Sequence, residues 1–443
     1  LIYFPGIING DSIVQFQQIR TGSFTNWHPF FHTLIMLVLL KLWNNPAVVP
    51  VFQILLLSAI LIITLNLFRK KGLSDGSAVL LAALMGLSLT NAIFLNSPWK
   101  DVLFGLCLMA LTACVYFIID TNGSVLKNGF FAAAFVCANI GVFLIRHNGF
   151  PIILATAAIL LVWLKKKQKI IASLSITALV ISLFNFLVLP AFHVAQAPAN
   201  FKFQPFIYQI AAHLDAGTPM TAEEISLLDN YVPIEKWVYN PCDSTALTWD
   251  IPTRSASENQ YLASHGRDFY LLFAKLFLRD PSVNLRHMLV SASIVYRIDP
   301  ICRTEISPLL FKPESSIGAE WVDTPDELIR ETSILPALVK PVTRFLSWTF
   351  EYTDLRLLNV VFWRPAFWLL LVVLVTLFLW RITKKGGMLI VAVPALTQSA
   401  VLFAANVATN VRYQLGIAFT AQFLVLVCVM VWVIKTNPKH SGD

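Results

Sequence analysis

Residues 47–71 read AVVPVFQILLLSAILIITLNLFRKK: an uncharged apolar run of 22 residues that ends on Arg69-Lys70-Lys71. A run of that length matches the roughly 30 Å hydrocarbon core of a bilayer. Backbone groups in lipid must be paired within the segment, so the run is a helix. The basic triplet after it marks a cytoplasmic end. Further basic clusters follow at Lys127, at Lys165, Lys166, Lys167 and Lys169, at Arg381, Lys384 and Lys385, and at Lys435 and Lys439. With all of them on one side, the apolar runs resolve into about ten spans: the start to about residue 8, then 47–68, 78–95, 102–119, 129–145, 150–164, 170–190, 357–380, 388–407 and 414–434. Each cluster then follows an inward-going span.

Composition agrees. The chain is 57% hydrophobic and 13% charged with mean hydropathy +0.68, whereas soluble domains are about a quarter charged. The formal net charge of +8 reflects membrane orientation, because no aromatic-interleaved basic stretch of a nucleic-acid binder is present. The opening Leu1-Ile2-Tyr3-Phe4-Pro5-Gly6 reads as the outer end of a first span, with a cleaved signal peptide as the competing reading. Residues 30–43 are apolar but too short to span. Counted as a span they would carry Arg69–Lys71 outside, so they are expected to form a juxtamembrane helix.

The expected fold is therefore an all-α integral membrane protein in three parts. Residues 1–190 form a transmembrane module with a first outer loop (8–29) and the juxtamembrane helix (30–43). Residues 191–355 form an extracytoplasmic, mostly helical loop domain, with amphipathic stretches at 221–231 and 269–278. Residues 356–443 form a three-span module and a cytoplasmic tail. Cys242 and Cys302 fall in the outer segment and Cys107, Cys114, Cys137 and Cys428 in spans. In an oxidising compartment the first pair is expected to form a disulfide, stabilising the domain by roughly 4 kcal/mol in the chain-entropy model; two free thiols are the alternative.

Twenty of the 25 acidic residues lie in the outer segment, which leaves Asp11, Asp75, Asp101, Asp120 and Asp443. Alternation of the spans sends Asp75, Asp120 and Asp443 inward. Only Asp11 and Asp101 then stand at the outer mouth of the bundle. Three short outer hairpins each carry a cation: Lys100 in Trp99-Lys100-Asp101, Arg146 in Arg146-His147-Asn148, and Arg412 in Arg412-Tyr413. Arg364 is expected about two turns inside a span. Cations in short outer loops run against the positive-inside rule, and ionisable groups at such depths are costly unless paired or wet. A shared anionic partner would explain them; snorkelling to lipid headgroups, or pairing of Lys100 with Asp101, would be the bland account.

The first loop holds Asp11-Ser12 as a helix cap, with Asp11, Gln15 and Gln18 on one face, and then Trp27-His28-Pro29 ahead of the juxtamembrane helix. Asp11 as a mere cap and His28 as an interfacial residue are the alternatives. No HExxH or paired CxxC spacing marks a metal site. A carboxylate facing several cations suits chemistry on a lipid-linked phosphate. The cations hold the phosphate and stabilise its charge as it leaves, and the carboxylate takes a proton from an attacking hydroxyl. Gly-rich nucleotide cradles are absent, which argues against a soluble sugar nucleotide or ATP as donor.

On these residues the sequence resembles the GT-C class of polyprenyl-phosphate-sugar-dependent glycosyltransferases, particularly poorly characterised bacterial members. The resemblance rests on Pro5-Gly6, Asp11-Ser12-Ile13-Val14-Gln15 and Trp27-His28-Pro29 in the first loop, then Trp99-Lys100-Asp101, Arg146-His147-Asn148 and Arg412-Tyr413. It covers most of the chain. It implies an active site on the extracytoplasmic side of a bacterial inner membrane, with Asp11 as base and Asp101 the other catalytic carboxylate. Gln15, Trp27, His28, Trp99, Lys100, Arg146, His147, Asn148, Arg364, Arg412 and Tyr413 would bind substrate. Some class members carry paired acids early in the loop, where Asn9-Gly10-Asp11 offers one; Asp11 with Asp101 is the pair available to a possible divalent cation. The implied partners are a polyprenyl-phosphate-linked sugar, a lipid-linked or envelope glycan acceptor and membrane lipids, with no nucleic acid. A transporter or flippase, expected to show inverted repeats and broken mid-membrane helices, and a polysaccharide polymerase or ligase are the rival readings.

Overall fold

The computed structural model describes residues 2–242, 256–299, 301–302, 334–351, 356–406 and 410–436. Among these the regular elements are helices, apart from one parallel bridge between Thr25 and Ala195. Helices α1 (Gly10–Thr21) and α2 (Phe30–Leu42) precede the first long one, α3 (Val48–Arg69). Then come α4 (Asp75–Gly86), α5 (Leu89–Phe94), α6 (Lys100–Asp120), α7 (Gly129–Ile145), α8 (Phe150–Trp163) and α9 (Gln168–Leu183), the last continuing through a π-helical turn to Ala191. Helices α10 (Ala199–Asp215), α11 (Ala222–Tyr231) and α12 (Ala256–Arg279) share an apolar core of their own, and α13 (Pro281–Ser291) follows. The chain returns through α14 (Pro336–Glu351) and α15 (Arg356–Trp363) to α16 (Pro365–Thr383), α17 (Val393–Ala405) and α18 (Leu415–Thr436).

Among the described residues, six helical segments are long and apolar enough to cross a membrane: Val48–Arg69, Lys100–Asp120, Gln168–Ala191, Pro365–Thr383, Gly386–Ala405 and Val411–Thr436. Phe30–Leu42, Asp75–Gly86, Gly129–Ile145 and His147–Trp163 are shorter apolar helices. The chain is thus a helical, multi-pass membrane protein by length and composition.

Three sequence-based spans are built differently. Residues 78–95 are two helices, because Ser88 interrupts the run and Asn91 Nδ2 donates to the freed carbonyl of Met85 at 2.9 Å. The 357–380 run breaks at Arg364, which takes an extended conformation (φ −104°, ψ 105°) ahead of Pro365. A proline disfavours helix in the residue before it, so Arg364 caps a helix and does not lie two turns inside one. At the start, residues 2–5 form a turn and 6–9 are non-helical, so the structure shows no span there.

Residues of three basic clusters meet at one end of the bundle. Lys71 and Lys385 both pair with Asp120, the latter at 2.7 Å, and Lys435 Nζ donates to the carbonyl of Ile382. These contacts join the ends of α3, α6, α16 and α18. In the segment between α9 and α14, 221–231 is α11 with a Thr221–Glu224 capping box, and 269–278 lies inside α12. Cys242 and Cys302 are bridged, while Cys107, Cys114, Cys137 and Cys428 are free.

Helix α6 is the axis of the bundle. It crosses α18 where Gly105 meets Gly416: a Cβ on Gly105 would lie 2.7 Å from Phe419 Cδ2 and 3.1 Å from Gly416 Cα. This close approach puts the start of α6, with Lys100, beside the turn that leads into α18, with Arg412. Overpacking a filled crossing costs about 1–3 kcal/mol. Gly105→Val is therefore expected to lower the thermal midpoint in detergent and to weaken the Lys100–Arg412 site. An unchanged midpoint would show the crossing to be looser than this.

Candidate functional site

The site begins with the capping of α1. Asn9 is the N-cap, its Oδ1 accepting from Ser12 N at 3.2 Å, in place of Asp11 or Ser12, the caps expected from the sequence. With the capping done by Asn9, the Asp11 carboxylate in the first turn is left for other partners. The loop is then laced to the hairpin before α6. Ile7 N donates to Asn96 O at 2.7 Å, Ser97 Oγ to Ile7 O at 3.1 Å and Ser12 Oγ to Pro98 O at 3.1 Å. Gly6, at φ +143°, makes the approach possible, since a Cβ there would sit 3.1 Å from Asn96 O.

This lacing sets Asp11 against two cations from distant segments. Asp11 Oδ2 receives Lys100 Nζ at 2.8 Å and Arg412 Nη1 at 3.0 Å. Lys100 therefore pairs with Asp11, not with its chain neighbour Asp101. Asp101 lies 2.9 Å from Arg146 Nη1, out of line for a hydrogen bond. The two carboxylates differ in access: the Asp11 side chain is 22% exposed and the Asp101 side chain 0%. Tyr413 joins the pairs, with the guanidinium carbons of Arg146 and Arg412 each 5.1 Å from its ring centroid. Arg412 also lies 5.5 Å over Trp99, and Arg146 lies 5.4 Å over Phe104. Such stacking suits the weakly hydrated guanidinium plane.

His28 completes the centre. Its Nδ1 is 3.0 Å from Lys100 Nζ. An ammonium only donates, so Nδ1 accepts and the ring proton sits on Nε2. That Nε2, Trp99 Nε1 and Arg412 Nε are buried N–H groups without a hydrogen-bond partner among the described residues. Burial, with Lys100 beside it, pushes the His28 pKa down from 6.5 to about 3. For Asp11 burial acts upward, but Arg412 and Lys100 outweigh it and hold the carboxyl well below its usual range. With His28 neutral, three cations face two carboxylates, and one positive charge is left over. Such a centre attracts an anion.

Around it, Trp27 is stacked between His28 (4.5 Å) and Phe201 of α10 (4.6 Å). The Thr25–Ala195 bridge lies beside this stack, so the first loop is tied to the segment after α9 at the site. His147 Nε2 reaches Asn26 O at 3.1 Å, and the Asn148 Oδ1 is buried without a partner among the described residues. Gln15 is enclosed one layer behind, donating to Thr33 Oγ1 at 2.9 Å and accepting from His32 Nδ1 at 3.1 Å. Arg364 takes other partners: its Nε donates to Asn359 Oδ1 at 2.7 Å, and Asp299 acts on its charge.

Sequence reasoning missed His32, Phe201 and Gln398. His32 follows His28 by four residues on an apolar helix, a signal that was there to use. Gln398, whose Nε2 donates to Tyr413 O at 3.1 Å, carried none. Among the described residues no group of three or more His, Cys, Asp and Glu side chains gathers as metal ligands. Asp11 and Asp101 are each turned to cations, a donor set that does not suit a divalent ion. In comparisons with known proteins no family model matches the chain, and no curated protein or solved structure matches it.

The neutral His28 predicts a pH dependence. The unfolded imidazole takes up a proton below 6.5 and the folded one only near 3, so stability falls with pH across that window. The stabilisation from the ion-paired Asp11 is complete above the ordinary carboxylate value of 3.8 and so is constant over most of that window. His28→Gln is thus expected to flatten the loss of thermal stability between pH 6.5 and pH 4, by up to about 1.4 kcal/mol per pH unit. Identical profiles for the two proteins would contradict a neutral buried His28.

Proposed function

We propose that the protein is an inverting, GT-C-like glycosyltransferase. It moves a sugar from a polyprenyl-phosphate donor to a lipid-linked or cell-envelope glycan acceptor, at the extracytoplasmic face of a bacterial inner membrane. This reading includes a topology in which residues 8–43 and 191–355 lie outside. The observation that carries it is the accessible Asp11 carboxylate between Lys100 and Arg412, in a centre with one positive charge in excess.

In the reaction, the acceptor hydroxyl attacks the anomeric carbon on the face opposite the phosphate. Asp11 takes the hydroxyl proton as the new C–O bond forms. The bond from the anomeric carbon to the phosphate oxygen breaks, and its electron pair leaves on the polyprenyl phosphate. Lys100 and Arg412 meet that charge, Arg412 as a guanidinium fork and Lys100 as a point charge. The unpartnered N–H groups of His28 and Trp99 are further donors for its oxygens. Asp101, sealed from solvent, serves as the positioning residue of Arg146.

Without donor, both cations sit on Asp11 and make it a weak base. A phosphate that draws them away restores its basicity, so the base becomes active when the donor is in place. Against a transporter, the charged groups cluster at the starts of α6 and α18 and not at mid-span, where transporter sites lie.

Asp11→Asn is the test. Transfer from a polyprenyl-phosphate sugar is expected to fall by about 100-fold or more, the usual contribution of a general base. Binding of polyprenyl phosphate is expected to hold or tighten, because the cations lose their internal competitor. Lys100→Ala and Arg412→Ala should each weaken that binding about tenfold or more, as charge-assisted hydrogen bonds are lost. Turnover retained by Asp11→Asn would overturn the assignment of the base.

A further inference from the structure

Helix α14 (Pro336–Glu351) has one face on the bundle and another uncovered. On the bundle side Leu346 is buried in the main core and Val342 packs against it. Thr343 Oγ1 shares a 3.1 Å hydrogen bond with Tyr3 Oη, and Trp363 Nε1 donates to Thr349 Oγ1 at 3.1 Å. On the uncovered side Leu338, Phe345 and Trp348 are 44%, 47% and 39% exposed. At 3.6 residues per turn these three fall within about 80° of one another. Lys340 and Arg344, both exposed and one turn apart, border the stripe on the side away from the core. Glu351, the last residue, is the one acid of the helix.

In the chain, α15 and then α16 follow α14. Leu357 at the start of α15 is exposed, and so are Leu370, Leu374 and Phe378 along α16. In a helix that crosses a bilayer such a row faces lipid. The uncovered stripe of α14 therefore adjoins, in the chain, a surface that is itself lipid-facing. A narrow apolar stripe with a tryptophan, flanked by basic residues, is the pattern of a helix lying in the membrane interface.

We propose that α14 lies in the headgroup layer of an anionic bilayer, with Leu338, Phe345 and Trp348 among the upper acyl segments and Lys340 and Arg344 on phospholipid phosphates. The proposal is independent of the catalytic reading. It makes α14 a fixed lateral contact between the protein and anionic lipid, at the entrance of the chain into α16.

The test uses the full-length protein in nanodiscs of phosphatidylcholine and phosphatidylglycerol. With lipids brominated near the headgroup, Trp348→Phe is expected to lose part of the lipid quenching of tryptophan fluorescence seen in the unaltered protein, while acrylamide quenching stays the same. In native mass spectrometry, Lys340→Gln with Arg344→Gln is expected to retain less phosphatidylglycerol, about fivefold per residue removed, with phosphatidylcholine unchanged. If Trp348→Phe leaves lipid quenching intact, or lowers acrylamide quenching instead, α14 faces water and the proposal fails. Unchanged phosphatidylglycerol retention in the double variant overturns the role of the two cations.

Discussion

The contact on which this end of the bundle depends is the single carboxylate oxygen of Asp11 shared by Lys100 and Arg412. Charges in so enclosed a place are expensive, and removing one partner from a buried pair typically costs about 3–5 kcal/mol because the other is left uncompensated. The three residues come from α1, the start of α6 and the 3-10 turn (Val411–Gln414) that leads into α18, nearly the whole length of the chain. Holding them together requires the Gly105–Gly416 crossing, the lacing of residues 7–12 to 96–98, and the Asn9 cap. Each of these is a backbone-level constraint, and each acts by fixing where one charge stands.

The surroundings follow from the same need. Tyr413 stands between two guanidiniums, and Asp101 supplies the counter-charge that allows Arg146 to be there. His28 is kept neutral by burial, so it accepts from Lys100 without adding a fourth cation. Trp27, stacked on His28 and on Phe201, carries the contact from the centre to the outer segment. Trp99, under Arg412, packs in turn against Phe94 and through it against Trp363, whose indole holds α14. The centre is thus joined by packed rings both to the outer segment and to the helix assigned to the headgroup layer.

Much of this was legible in the sequence, because hydropathy and charge placement are local properties. The run at 47–68 with its basic triplet, and the short list of ions left after the clusters and the outer segment were set aside, led to Asp11, Asp101, Lys100, Arg146 and Arg412. Pairing was not legible. Lys100 is next to Asp101 in the chain yet binds Asp11, since a helix sends successive side chains in different directions and only the crossing decides which meet. The breaks at Ser88 and Arg364 were overridden by apolar character on both sides, although Pro365 was a signal for the second. Asn9 as cap differs from Asp11 or Ser12 by a shift too small for residue preferences to resolve. His32 and Phe201 gain their places through burial and a long-range stack, which a single sequence does not display.

The most direct test of the central claim is a structure of the full-length protein in lipid nanodiscs with a polyprenyl phosphate bound. The account predicts phosphate density in contact with Lys100 Nζ and the Arg412 guanidinium, with Asp11 Oδ2 released from both. Density elsewhere, with Lys100 and Arg412 still closed on Asp11, would contradict it.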